Sequence, residues 1–198
     1  HLYKYIRRLT DGFRTRPMMQ FLHIPKTAGT SILKATNGKS EGHKLIGDLQ
    51  GDSFFSCVRN PYDRACSVYW FMLGRWKLMK KMQPFDMSSE PASLLYFWQT
   101  IDKRQHPVAK WLYSPQIEYL RDEQKAISPR IQHLLRFETL AEDWPAFAAE
   151  HGFAELPHIN KSERPSESWQ DEMTPELIAI INELYAEDFE NLNYERLS

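Results

Sequence analysis

Three short apolar runs, each followed by a polar turn and a helical pattern, organise the chain. They cover residues 18–24, 53–58 and 133–138. Each run is nearly continuous rather than alternating, which is typical of strands that are buried on both faces of a parallel sheet. Because a strand, a helix and another strand follow one another, the pattern predicts an α/β fold with a central parallel sheet and right-handed crossovers.

Helical patterns fill the segments between and after these runs. The segment that follows the second run has the clearest start, because Asn60 is a good N-cap, Pro61 suits the first helical position and Asp63 places a negative charge in the first turn. The other predicted helices cover residues 29–36, 92–104, 139–151 and 175–191. Gly152 ends the helix at 139–151.

The length and composition predict one domain over residues 1–198, with a basic segment at 1–17. A chain of 198 residues that is 42% hydrophobic can bury one sizeable core. The net charge of −1 gives no overall attraction to nucleic acid or to anionic membranes, so any anion site must be local. We therefore expect no nucleic-acid partner, while the oligomeric state stays open.

The two cysteines, Cys57 and Cys66, are too few for a disulfide framework and match no metal-binding spacing. No apolar run approaches the roughly 20 residues that a membrane span requires. These features predict a chain in a reducing compartment, the cytoplasm, without a membrane span or a metal. The first residue is His1 rather than Met, which leaves a trimmed leader or anchor open.

The turn after the first run has the composition of an anion-binding loop. Pro25 interrupts the strand, Lys26 adds a positive charge, and the small and hydroxyl-bearing residues that follow open a helix. The amide groups at the start of a helix attract phosphate and sulfate groups. The order differs from the ATP-binding loop, in which the lysine follows the glycines.

The turn after the second run contains a second candidate anion site. Arg59 stands at the carboxyl end of a predicted strand, where open α/β sheets bind ligands. Ser67 lies on the same predicted helix face as Asn60, Asp63 and Arg64. An arginine and a serine placed in this way can bind one phosphate together.

The two turns together resemble the nucleotide-binding motifs of sulfotransferases that use 3′-phosphoadenosine 5′-phosphosulfate (PAPS), most closely the carbohydrate-type branch. The resemblance covers most of residues 18–194 and includes a Pro-Gln pair at 115–116 and the pattern Pro-His-x-Asn-x-Ser at 157–162. It implies a P-loop-like three-layer fold, with a central parallel sheet flanked by helices, and transfer of a sulfuryl group from PAPS to a hydroxyl. The branch that it resembles implies a carbohydrate acceptor, with 3′-phosphoadenosine 5′-phosphate (PAP) as the product.

The resemblance also assigns roles to individual residues. It implies that Arg59 and Ser67 bind the 3′-phosphate and that Lys26 stabilises the leaving group. The residues implied to bind the 5′-phosphosulfate together with Lys26 are Thr27, Ala28, Gly29, Thr30 and Ser31, and those implied to close over the nucleotide are Asn160, Lys161 and Ser162.

A general base is needed to accept the proton of the acceptor hydroxyl, and histidine suits that task near neutral pH. His43 follows a flexible turn between the two motifs, and the resembling branch has a Gly-His pair at a matching place. His43 is therefore the predicted base, with His158 and Glu41 as alternatives. The non-catalytic alternative is that His43 is simply an exposed histidine in a turn.

Two other functions remain open at this point. A kinase of the P-loop type would depend on magnesium and prefer ATP, with Glu138 as an imaginable magnesium ligand, although a cap or a hydrogen bond in the core suits Glu138 better. A silent binding domain would bind nucleotide without turnover.

Overall fold

The computed structural model describes residues 19–38, 42–82, 93–101, 110–157 and 168–198, and for residues 76–82 it describes the backbone alone. Residues 1–17, Asn160, Lys161, Ser162, His158 and Glu41, for which roles were predicted above, lie outside these ranges. None of the described helices is both long and apolar enough to cross a membrane.

A three-stranded parallel sheet lies at the centre of the described chain, as the apolar runs predicted. The strands are β1 (Gln20–Leu22), β2 (Phe54–Val58) and β3 (Ile131–Arg136), and β2 lies between the other two. Leu22 pairs with Ser56, and Val58 pairs with Arg136. The carboxyl ends of the strands therefore lie along one edge, and the chain segments that leave β1 and β2 are neighbours there.

Eight helices are described around this sheet. Their bounds are α1 (Gly29–Ala35), α2 (Pro61–Met82), α3 (Leu94–Gln99), α4 (Lys110–Tyr113), α5 (Gln116–Leu120), α6 (Leu140–His151), α7 (Pro175–Leu184) and α8 (Ala186–Asn191). Short 3-10 helices cover Ile46–Asp48, Phe137–Thr139 and Trp169–Glu172.

Side chains of β2 alternate between two apolar clusters, one on each face of the sheet. Phe55 and Cys57 pack with Ile32 of α1 and with the apolar face of α6. Phe54 and Val58 pack with residues of α5 on the opposite face. All five residues of β2 are buried, which explains why its sequence is apolar throughout. The described chain is therefore mixed α/β, with helices on both faces of a parallel sheet.

The boundaries of several elements differ from those predicted. β1 is shorter than 18–24, because β2 pairs only with Gln20–Leu22. β3 begins two residues earlier than predicted and turns into a 3-10 helix at Phe137. Within the predicted helix 92–104, the structure has a helix over Leu94–Gln99. Residue 92 and residues 102–104 lie outside the described ranges.

The predicted final helix, 175–191, is in fact two helices. Tyr185 separates α7 from α8 with φ −112° and ψ 27°, outside the helical region. Its side chain is fully buried, and its hydroxyl donates a hydrogen bond to the carbonyl oxygen of Tyr113 at 2.9 Å. The break therefore coincides with a tertiary contact that local helical periodicity does not reveal.

Candidate functional site

The loop between β1 and α1 has an unusual backbone. Lys26 and Ala28 both have φ of 67°, in the left-handed region that residues other than glycine seldom adopt. Residues held in such conformations often occur at ligand-binding sites. Thr27 stabilises the loop from inside, because its buried hydroxyl donates a hydrogen bond to the carbonyl oxygen of Ile24 at 2.9 Å.

Helix α1 begins directly after this loop. Ala28 accepts hydrogen bonds from the amides of Ser31 and Ile32 at 2.9 and 3.2 Å. The amides of Ala28, Gly29 and Thr30 have no hydrogen-bond acceptor within the described ranges. The loop that was predicted to bind an anion therefore has backbone donors available for one.

Gly29 makes room for the side chain of His23. A Cβ atom on Gly29 would lie 1.8 Å from Nε2 of His23, so no larger residue fits without displacing the imidazole ring. The resemblance implied a different task for Gly29, binding of the 5′-phosphosulfate. The geometry shows that this glycine is required for the packing of the loop against His23.

His43 is half-buried and lies between two aromatic rings. Its ring centroid is 4.2 Å from that of His23 and 4.3 Å from that of Trp111, with the indole nearly parallel at 12°. His43 is thus an ordered part of the wall beside the loop, and the interpretation as an exposed turn histidine does not describe it.

The hydrogen bond of His43 determines its tautomer. Nδ1 lies 3.1 Å from the carbonyl oxygen of His23, and because a carbonyl oxygen can only accept, Nδ1 carries the proton. Burial lowers the pKa of His43 below its ordinary value; the hydrogen bond to His23 opposes that shift, and the nearby charge of Arg64 adds to it. Neutral His43 therefore presents the lone pair of Nε2, the form that a general base requires.

Arg59 lies at the carboxyl end of β2, in direct contact with the loop. Its Nη1 donates a hydrogen bond to the carbonyl oxygen of Lys26 at 3.2 Å. Its Nε forms an ion pair with Asp63 at 2.6 Å, and its guanidinium stacks on the ring of Phe137 at 3.8 Å. A phosphate bound to Arg59 therefore has to share this guanidinium with the carboxylate of Asp63.

The remaining predicted site residues differ in their surroundings. The ammonium group of Lys26 lies over the ring of Phe71, 4.2 Å from its centroid. Ser67 is 1% exposed, so its hydroxyl is almost inaccessible in this conformation. The structure thus brings Arg59 to the loop that contains Lys26 and leaves Ser67 buried in α2.

Gln116 is a supporting residue whose role the sequence left open. Its Oε1 accepts a hydrogen bond from the amide of Arg59 at 2.9 Å, and its Nε2 donates one to the carbonyl oxygen of Arg59 at 2.8 Å. Asp188, also buried, accepts hydrogen bonds from the amides of Gln116 and Ile117 at 2.9 and 2.8 Å. Helices α5 and α8 therefore hold the backbone at Arg59. Asp188 had no role in the sequence analysis, because its partners lie 72 and 71 residues away in the chain.

Glu138, in the 3-10 helix that follows β3, supports the same segment. Its Oε1 accepts a hydrogen bond from the amide of Asn60 at 2.5 Å, and its Oε2 accepts one from the hydroxyl of Tyr194 at 3.0 Å. Asn60 caps α2 as predicted, because its Oδ1 accepts a hydrogen bond from the amide of Tyr62 at 3.0 Å. The preferred interpretation of Glu138, a cap or a hydrogen bond rather than a metal ligand, describes these contacts.

A cavity of about 520 Å³ opens beside β1 and the C-terminal end of α1. Its wall includes His23, and also Gly42 and Lys44, the two neighbours of His43 in the sequence. Phe21, Phe54 and Phe153 provide aromatic surface. The volume is in the range of small-molecule sites.

No protein-family model, curated protein or solved structure matches this chain.

Proposed function

We propose that this protein transfers a sulfuryl group from PAPS to a hydroxyl group of an acceptor. The acceptor is a carbohydrate, as in the sulfotransferase branch that the sequence resembles. One observation carries the proposal: the two turns whose sequences resemble PAPS-binding motifs meet at the carboxyl edge of neighbouring parallel strands. The 3.2 Å hydrogen bond from Arg59 to the carbonyl oxygen of Lys26 joins them. Two independent sequence signals that converge on one place support a single ligand site.

The donor set of this site fits a nucleotide with several negative charges. The amides of Ala28, Gly29 and Thr30 point to no acceptor within the described part of the chain, and Lys26 and Arg59 add two positive charges. Charge-assisted hydrogen bonds from such groups bind phosphate and sulfate strongly. The Asp63 carboxylate, which pairs with Arg59, opposes this attraction. The affinity for the nucleotide therefore depends on how the hydrogen bonds of the Arg59 guanidinium are shared between Asp63 and the bound phosphate.

The chain's own residues provide the functions that sulfuryl transfer requires. PAPS, when bound, supplies an activated sulfuryl group on a phosphate leaving group. Lys26 stabilises the negative charge that grows on the bridging oxygen as the sulfur–oxygen bond breaks. His43 accepts the proton of the acceptor hydroxyl on Nε2, because Nδ1 already carries a proton that is bound to the carbonyl oxygen of His23. The cavity next to the His43 segment gives an acceptor space.

Calorimetric titration of the full chain with PAP, AMP, ADP and ATP tests the proposal. PAP should bind at least 10-fold more tightly than AMP, because only PAP has a 3′-phosphate for Arg59. Equal affinity for PAP and AMP would reject the assignment. Preference for ATP with magnesium would instead indicate a kinase, and PAP binding without turnover on any hydroxyl acceptor would indicate a silent binding domain.

An Arg59→Ala variant locates the 3′-phosphate. Loss of the guanidinium should weaken PAP binding by about 2 to 4 kcal/mol and leave AMP binding nearly unchanged. Arg196→Ala is the matched control, because Arg196 also pairs with a carboxylate, that of Glu190, but lies among exposed residues of the C-terminal segment. Unfolding is measured alongside, since the Arg59 variant loses the ion pair with Asp63.

A further inference from the structure

Arg64 is a fully buried cation that has no part in the sulfuryl transfer proposed above. Its side chain is 0% exposed. Its Nε donates a hydrogen bond to the carbonyl oxygen of Pro25 at 3.0 Å, and its Nη2 donates one to the carbonyl oxygen of Leu112 at 3.1 Å. Pro25 directly precedes Lys26, and Leu112 directly follows Trp111. One guanidinium therefore contacts both the candidate anion loop and the segment that stacks on His43.

Helix α4, which contains Trp111, is held by three buried side chains. The carbonyl oxygens of Trp111, Leu112 and Tyr113 accept hydrogen bonds from the hydroxyl of Tyr119, from Arg64 and from the hydroxyl of Tyr185, respectively. A four-residue helix cannot satisfy these last carbonyl groups internally, so the buried side chains determine where it lies. Of the three, Arg64 is the one that also donates a hydrogen bond to the loop, at Pro25.

The contact from α4 continues to His43. The indole of Trp111 lies 4.3 Å from the His43 ring, and His43 is bonded to the carbonyl oxygen of His23. The ring of His23 in turn occupies the space above Gly29 at the start of α1. The positions of His43 and of the loop are thus linked on one side through His23 and on the other through Arg64.

The guanidinium suits this task better than an ammonium group would. Its planar fork presents Nε and Nη2 in fixed directions, so two carbonyl oxygens on separate segments are held at a set separation. The Nη1 atom is buried without a hydrogen-bond partner in the described chain, and an unsatisfied buried donor is costly. The two hydrogen bonds of Nε and Nη2 are therefore the contacts that fix the guanidinium between the two segments.

We propose that Arg64 is a positioning residue that sets the distance between the anion loop and the His43 wall. It acts through the carbonyl oxygens of Pro25 and Leu112 and does not itself contact a ligand. The consequence for catalysis rests on the proposed sulfuryl transfer, whereas the structural link between loop and wall does not. Substitution of Arg64 should therefore disturb both halves of the site at once.

The test combines PAP calorimetry with NMR of the His43 ring in the full chain. In Arg64→Lys the charge stays but the fork is lost, so PAP affinity should fall at least 10-fold. The upfield ring-current shift that Trp111 imposes on the His43 protons should also be lost. Tyr119→Phe is the matched control, because it removes a hydrogen bond to α4 but none to the loop. PAP affinity of this control should stay within about twofold of the wild type.

A measurement on the unmodified chain guards against a variant that fails to fold. The Nε–H of Arg64 should exchange slowly with solvent, and its resonance should move on saturation with PAP although Arg64 lies beneath the loop. Wild-type affinity in Arg64→Lys, or an Nε–H resonance that PAP leaves unmoved, would overturn the link. If wild-type protein binds no PAP, the proposed function fails. The link is then judged by the His43 signals: their loss in Arg64→Lys supports it, and their retention overturns it.

Discussion

At the scale of single residues, the chemistry of the candidate site depends on small steric and electronic details. Gly29 is needed because the imidazole of His23 occupies the place of its missing side chain. His43 is held in one tautomer by one backbone carbonyl group. Both details involve His23, whose carbonyl oxygen bonds to His43. A change in the packing of His23 would therefore alter the position of His43, the candidate base.

Gly29→Ala should destabilise the protein by about 1 to 3 kcal/mol, because the new methyl group overlaps the His23 ring and one of them must move. Urea unfolding followed by circular dichroism measures the change. Gly74→Ala is the matched control, since Gly74 is an exposed residue of helix α2 with nothing within 4 Å of the added Cβ. That substitution should be neutral or stabilise by up to about 1 kcal/mol. Equal effects at the two glycines would contradict the steric explanation.

His43→Ala should lower turnover with PAPS and a hydroxyl acceptor by about 100- to 10,000-fold, because no group then accepts the acceptor proton. PAP affinity should stay within about threefold, since His43 is not among the anion donors. In the wild type the acidic limb of the pH–rate profile should lie below pH 6.5, because burial lowers the pKa of His43. An acidic limb that persists in the variant would move the role of base to His158 or Glu41.

At the scale of elements, the segment that leaves β2 is fixed by helices from distant parts of the chain. Gln116 of α5 binds both backbone groups of Arg59, and Asp188 of α8 caps the start of α5. Burial raises the pKa of Asp188, while the charge of Arg64 and the amides of Gln116 and Ile117 oppose that shift. The position of Arg59 therefore depends on contacts across more than a hundred residues of sequence.

Gln116→Ala should cost about 2 to 4 kcal/mol of stability, because the buried amide and carbonyl groups of Arg59 both lose their partner. PAP affinity should fall as well, since Arg59 is no longer held at the strand end. Thermal unfolding and calorimetry measure the two effects. Gln132→Ala is the control: Gln132 is exposed and accepts one hydrogen bond, from Ser53, so its loss should cost under about 1 kcal/mol. A Gln116 variant as stable as the control would show that these two hydrogen bonds do not hold the backbone of Arg59 in place.

At the scale of the whole molecule, buried neutral histidine makes stability depend on pH. Burial, together with the neighbouring His43, lowers the pKa of His23 to about 3. The unfolded chain takes up a proton on His23 near pH 6.5, whereas the folded chain does not until about pH 3. Stability from this group is therefore fully present above pH 6.5 and is lost as the pH falls toward 3.

The slope should be up to about 1.4 kcal/mol per pH unit between these limits. The unfolding free energies of the wild type and of His23→Gln are measured from pH 7 to pH 4. Because glutamine does not titrate, the difference between the two proteins gives the contribution of His23 to the pH dependence. The difference between the two proteins should shrink as the pH falls. Parallel curves would contradict the lowered pKa, because they would show that His23 takes up its proton at the same pH in the folded and the unfolded chain. Comparing the two proteins also removes the contribution of Asp188, which has the opposite sign.

The sequence alone determined the elements whose causes are local. Buried strands are apolar throughout, so the runs at 18–24, 53–58 and 133–138 located the three strands to within a few residues. The start of α2 was equally local, because an N-cap, a proline and an acid act within one turn. The placement of Arg59 beside the Lys26 loop also followed from sequence, since parallel strands bring their carboxyl ends to one edge.

Only the tertiary structure decided the features that depend on contacts between distant segments. Burial of Ser67 and the break at Tyr185 arise from neighbours that no local pattern names. The position of His43 between His23 and Trp111 joins three separate segments. Helical and strand periodicity reports which face of an element is buried, but not which side chain it meets there. That choice is made by packing and by the need of every buried polar group for a partner.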